Sequence, residues 1–119
     1  MTQQRQKGHD SLTAIIAINR VIRDPARLTI MALLYVVGSA DYAFLQEQTG
    51  LTSGNLSAHL RKLQKAGYVT VEKGFYESRP TTAVHLTEKG RQSYETYERS
   101  LTRLFTTYRG DPSLHLHSP

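Results

Sequence analysis

A chain of 119 residues with 39% hydrophobic side chains can bury one modest core, and fifteen Lys and Arg against ten Asp and Glu give a formal charge of +5. That balance favours a polyanionic partner, although solubility alone would also account for it. The absence of cysteine excludes disulfides, thiolate zinc centres and cysteine nucleophiles by inventory. The longest apolar stretch, Ile30 to Val37, is far short of a membrane span, and the opening MTQQRQKGHD has no signal-peptide core; a soluble, cytoplasmic protein that meets no membrane is expected.

Residues 1–9 read as a disordered polar arm, after which Asp10 or Ser11 can cap a helix to about Arg23. That helix has two apolar faces, Leu12, Ile15, Ile16 and Ile22 on one and Ala14, Ala17, Ile18 and Val21 on the other, with a narrow polar strip through Thr13 and Arg20. A small domain covers one such face, so the second points to a partner subunit. Asp24-Pro25 then opens a second helix, because Asp accepts bonds from free first-turn amides and proline loses nothing at the first helical position. Leu28, Met31, Leu34 and Val37, widened by Leu33 and Val36, mark it as the central core helix, ending at Gly38. A loop from Gly38 to Asp41 leads into a short helix around Ala43 to Thr49 that would bury Phe44 and Leu45.

Gly50 suits a tight turn, and Thr52 or Ser53 caps a helix that runs to about Ala66 and stops at Gly67. Leu51, Leu56, Leu60 and Leu63 form its apolar stripe. Val69 and Val71 alternate with Thr70 and Glu72 as a half-buried strand, Thr82, Val84 and Leu86 alternate with Ala83 and His85 as its partner, and Lys73 to Pro80 forms a wing between them. Thr87-Glu88 opens the last helix, whose Tyr94, Tyr97, Leu101, Leu104 and Tyr108, with Phe105 beside them, repeat at three and four as a seam. Gly110, Asp111 and Pro112 end it, and residues 110–119 read as a flexible tail. The expected fold is mainly α with a small two- or three-stranded antiparallel β wing, a winged helix-turn-helix, in one domain over residues 10–109.

Three stretches carry a family likeness: Asp24-Pro25-Ala26-Arg27 before an Ile/Leu-rich helix; Gly50-Leu51-Thr52 through Asn55-Leu56-Ser57-Ala58-His59-Leu60 to Ala66-Gly67-Tyr68-Val69; and Leu86-Thr87-Glu88-Lys89-Gly90-Arg91 after the wing. In order and spacing the chain resembles compact winged-helix transcriptional regulators of the MarR and ArsR type. It departs from many helix-turn-helix units at Gln46, where a small residue is usual, and near His59, where an apolar one is. The resemblance implies a DNA-binding homodimer joined through the first and last helices, which the two-faced first helix and the aromatic seam independently suggest. The interface residues expected are Leu12, Ile15, Ile16, Ile18 and Ile22 with Tyr94, Tyr97, Leu101, Leu104, Phe105 and Tyr108.

On the helix after Gly50, Gly54, Ala58, Arg61 and Lys65 fall opposite the leucines, flanked by Asn55, Ser57 and Lys62. Small side chains let the backbone approach a groove; Ser53, Asn55 and Ser57 can exchange hydrogen bonds with base edges or phosphates; and Arg61 can make a two-pronged contact to guanine. Base readout is expected from Asn55, Ser57 and Arg61. Lys62 and Lys65 can hold phosphate, and their place near the helix C-terminus also suits the dipole. On the wing, Lys73, Tyr76, Ser78 and Arg79 complete the DNA-facing set, opposed locally by Glu77. His59 borders the leucine stripe, where a packed histidine competes with DNA contact.

The leading function is a sequence-specific, dimeric DNA-binding regulator, most simply a repressor on an inverted repeat, with this helix in the major groove and the wing near the minor groove. Two alternatives stay open: a winged-helix protein-interaction module, and a regulator that senses a small effector or a non-thiolate metal at the dimer seam, where Tyr94, Tyr97 and Tyr108 offer hydroxyls. His115 and His117 could grip a metal only with further ligands. No cofactor is called for, and no catalytic triad, phosphate loop or paired acidic motif supports an enzyme.

Overall fold

The computed structural model describes residues 19–109, with side chains through residue 106. After a turn over residues 19–23 the order is α1 (Pro25–Val37), β1 (Ser39–Asp41), α2 (Tyr42–Thr49), α3 (Ser53–Lys65), β2 (Val69–Tyr76), β3 (Arg79–Leu86) and α4 (Glu88–Arg109). The three strands form one antiparallel sheet in the order β1-β3-β2. The result is a winged helix domain, mainly helical with a small β wing.

Local chemistry sets the boundaries. The Asp24 carboxylate accepts from the Ala26 and Arg27 amides at 3.0 and 3.1 Å, with Pro25 at the first helical position of α1. Thr52 caps α3 through the Asn55 amide at 3.2 Å. At the other end Gly67, with φ +82°, closes a Schellman turn: its amide donates to the Gln64 carbonyl at 2.9 Å and the Tyr68 amide to the Leu63 carbonyl at 3.0 Å. Thr87 caps α4, accepting from the Gly90 amide at 2.9 Å while donating to the Gly67 carbonyl at 2.6 Å. These two hydrogen bonds draw the start of α4 so close to the β2 entrance that a Cβ at Gly90 would collide with the Tyr68 carbonyl.

One core holds these elements together. Ile30, Met31 and Leu34 of α1 and Leu45 of α2 meet Leu56, Leu60 and Leu63 of α3, with Val69, Val84 and Tyr97 closing the sheet and α4 sides. Each fully buried aliphatic side chain contributes about 1.5–3 kcal/mol of hydrophobic free energy. Ile22, expected on a partner-facing surface, is instead fully buried in this same core, because the turn before Asp24 folds it back onto α1.

Four other expectations change. Residues 39–41, expected as loop, pair with Ala83–His85 of β3, and the sheet gains a third strand. The inward face of α1 is rotated toward Ile30, leaving Val36 83% and Val37 49% exposed. In α2 Leu45 is buried while Phe44 lies at the surface. The wing is strand almost to its tip: Tyr76 pairs with Arg79, and the turn is only Glu77-Ser78, whose φ of +51° and +66° supply the two positive values a type I′ hairpin requires. Leu12, Ile15, Ile16 and Ile18, the arm of residues 1–9, the tail of residues 110–119 and the Tyr108 side chain lie outside the described residues.

Candidate nucleic-acid interface

Helix α3 divides cleanly by chemistry. Leu56, Leu60 and Leu63 point into the core, while Ser53, Gly54, Asn55, Arg61, Lys62 and Lys65 are exposed and Ser57 and Ala58 are half-buried along the flank. The helix contains no acidic residue, and Lys62 and Lys65 occupy its last turn. Its outer face is therefore cationic toward the C-terminus and small and hydroxylic toward the N-terminus. Nothing stands within 4 Å of where a Cβ on Gly54 would lie, so the backbone there is open to close approach.

The N-terminal end of this face is held by a residue that sequence reasoning did not single out. Tyr42, the first residue of α2, donates its hydroxyl proton to the Ser53 carbonyl at 2.5 Å and lies 2.7 Å from the Ser57 hydroxyl and 3.1 Å from that of Ser53. The contact spans 11 to 15 residues and exists only because α2 crosses α3 at this point, so no local pattern could have revealed it.

The other flank is tied down by charge. Arg27 is buried: its Nε donates to the Val21 carbonyl at 2.6 Å, and a terminal nitrogen lies 3.3 Å from His59 Nδ1 and 4.0 Å from Asp24. His59 Nδ1 is in turn 3.9 Å from the Asp24 carboxylate. These contacts turn His59 away from the outer strip toward α1, the packed arrangement rather than the groove-facing one. Burial by itself would raise the Asp24 pKa, but the Arg27 amide and guanidinium, His59 and the Ala26 amide together hold it below the usual value.

On the wing, Lys73, Tyr76, Ser78 and Arg79 are all exposed, Tyr76 by 69%, and Phe75 stands out beside them by 79%. Cross-strand pairing places Tyr76 directly opposite Arg79 at the tip. The expected DNA-facing residues thus fall into two groups, one on α3 and one at the hairpin end, with His59 set apart from both.

A family model described as winged helix DNA-binding domain matches residues 26–105. The chain belongs to this family. The uncharacterized protein MJ0432 of Methanocaldococcus jannaschii is 33% identical over 85 residues, covering 71% of this chain and 92% of that protein. Among solved structures, the transcriptional regulator homologue from Pyrococcus horikoshii OT3 superimposes with a TM-score of 0.78 at 29% identity, covering 83% of this chain and 97% of its own. NadR in complex with 4-hydroxyphenylacetate matches with a TM-score of 0.63 at 24% identity, over 89% of this chain and 73% of that one, a likeness of fold. The architecture is that of winged-helix transcriptional regulators.

A second surface of this winged helix lies between α1 and α4. Leu28, Leu33, Val36 and Val37 face Tyr94, Leu101 and Phe105 across an apolar groove of about 690 Å³. Of the seam residues expected at a partner interface, Tyr94, Leu101 and Phe105 line it; Tyr97 also borders it but is largely buried in the core, and Leu104 is half-buried outside the lining. Tyr35, another residue without a sequence signal, braces the two helices: its hydroxyl donates to Glu95 at 2.6 Å, its ring sits 4.8 Å from that of Tyr94, and Arg91 lies over it at 5.3 Å. The bond to Glu95 pushes the Tyr35 pKa up, and burial does the same for Tyr94. No group of three or more His, Asp or Glu that could hold a metal occurs among the described residues, and none of the described helices is long and apolar enough to cross a membrane.

Proposed function

We propose that the chain is a sequence-specific, dimeric DNA-binding transcriptional regulator of the MarR/ArsR-like type. It acts in the cytoplasm as a repressor on an inverted repeat. The observation that carries this reading is the outer face of α3: three exposed cations, no acid, and small or hydroxylic residues where a groove-bound helix must come close. Asn55, Ser57 and Arg61 read bases, Lys62 and Lys65 hold phosphates, and Lys73, Tyr76, Ser78 and Arg79 bring the wing to the adjacent minor groove. A second copy docks through the groove between α1 and α4 and the apolar residues that precede Asn19, setting two α3 helices about one helical turn apart.

The size and apolar lining of that groove also favour an effector-sensing variant of the same function. NadR, similar in fold, is described with bound 4-hydroxyphenylacetate, and a groove of about 690 Å³ has room for a ligand of that kind. The groove carries Glu98 and no cation, so it suits an uncharged aromatic molecule better than a carboxylate, and such a molecule held at the seam beside the docked copy would alter the separation of the two α3 helices.

Selection from a random duplex library, paired with light scattering at micromolar concentration, tests the proposal. A two-fold symmetric motif selected by a dimer supports it. A monomer would overturn the dimer and its inverted repeat, and the absence of retention on both heparin and duplex DNA at moderate salt would overturn DNA binding in favour of a protein-interaction module.

A further inference from the structure

A tyrosine hydroxyl owns one proton, and in Tyr42 that proton is spent. The Ser53 carbonyl, 2.5 Å away, has no hydrogen to give, so it accepts from Tyr42. The Ser57 hydroxyl, 2.7 Å from the same phenolic oxygen, must therefore donate its own proton to Tyr42. The Ser53 hydroxyl, at 3.1 Å, is constrained in the same direction. A helical serine ordinarily has another outlet, the carbonyl four residues earlier, but for Ser57 that carbonyl is Ser53, whose two lone pairs already take the Tyr42 proton and, as the helical bond of α3, the Ser57 amide. What Ser57 keeps for an outside partner is its lone pairs.

We propose that Tyr42 is a specificity-determining positioning residue: by taking the Ser57 proton it fixes Ser57 as a pure acceptor toward the major groove, selecting a base edge that presents an amino group. The inference rests on the reading of α3 as the groove helix. In the major groove the amino donors are N4 of cytosine and N6 of adenine, whereas guanine O6 and thymine O4 only accept. Facing either of those oxygens, Ser57 would set lone pair against lone pair and leave a desolvated acceptor unpaired. Tyr42 need not touch the base to decide it.

The test uses the full chain and the duplex selected by the wild-type protein. Ser57→Ala first identifies the base position at which preference changes. At that position the wild type should favour an amino edge (cytosine or adenine) over a carbonyl edge (guanine or thymine) by about tenfold, the usual cost of one mismatched contact. Tyr42→Phe keeps the ring and removes only the hydroxyl, freeing the Ser57 proton. The variant should hold the amino-edge site within about threefold of wild type and gain about tenfold on the carbonyl-edge site, so that discrimination nearly vanishes. In the Ser57→Ala background, Tyr42→Phe should have no further effect on the ratio. A gain in affinity on one site cannot come from a loosened fold.

Equal losses on both sites for Tyr42→Phe, an unchanged ratio, or a Ser57→Ala variant that alters no position would each overturn the assignment of Tyr42 while leaving the DNA-binding reading intact. A wild-type protein with no sequence preference would instead bring down the reading on which it rests.

Discussion

Replacing Lys62 by alanine separates phosphate contact from base contact. Lys62, Lys65, Lys73 and Arg79 are all exposed on the proposed DNA surface. If each protomer of the dimer sets these four against phosphates, about eight counterions are displaced per complex, and the logarithm of the binding constant should fall with the logarithm of salt with a slope of about −7. The wild type would then lose on the order of 10⁴ in affinity between 50 and 200 mM salt. Lys62→Ala removes one contact per protomer, so its slope should shallow to about −5, with similar losses on specific and random duplexes. Arg61→Ala should behave differently, costing about 1–3 kcal/mol on the selected site and much less on random sequence. Fluorescence anisotropy titrations of both variants at several salt concentrations read slope and specificity together. Equal losses on specific and random duplexes for both variants, with unchanged slopes, would refute the division of roles on α3.

Three further outcomes follow from the fold. Gly90→Ala forces a methyl group against the Tyr68 carbonyl where α4 is drawn to β2, and should destabilise the domain by about 1–3 kcal/mol in a denaturant melt. Changing Glu77-Ser78 to Asn-Gly replaces two residues that resist positive φ with the pair that the hairpin turn prefers, and should raise stability by about 1 kcal/mol; a lower melting temperature would mean the turn has a different backbone. Because the folded-state pKa of Asp24 is depressed, its contribution is present above the unfolded value of 3.8 and is lost as pH falls through the folded value. Acid unfolding curves should accordingly show a smaller loss below pH 3.8 for Asp24→Asn than for the wild type, and superimposable losses would contradict the cap and its charged neighbours.

The helices and hairpin were legible because their signals are local. Asp24-Pro25, Thr52, Gly67 and Thr87 each act within a few residues, and the α3 leucines repeat on a single turn geometry. What escaped depends on contacts across the chain. Ser39-Ala40-Asp41 is too short and too poor in β-branched residues to announce a strand, and becomes one because β3 offers a free edge. Val36 and Val37 look like core by composition, yet the α1 axis turns Ile30 inward and leaves both on the groove. Arg27 carries no local sequence sign of burial, which is intelligible only once the Val21 carbonyl and His59 surround it. The outer strip of α3 was visible in the sequence; Tyr42, which fastens it, was not.

Methylation interference on the selected duplex tests most directly whether α3 enters the major groove. Methyl groups on guanine N7 project into that groove, whereas those on adenine N3 project into the minor groove. If α3 is the reading element, N7 methylation should abolish binding at two clusters of guanines about 10 base pairs apart, and Arg61→Ala should remove the sensitivity at one guanine in each cluster. Interference confined to adenine N3, with N7 methylation harmless throughout, would show that the polar face of α3 does not lie in the major groove.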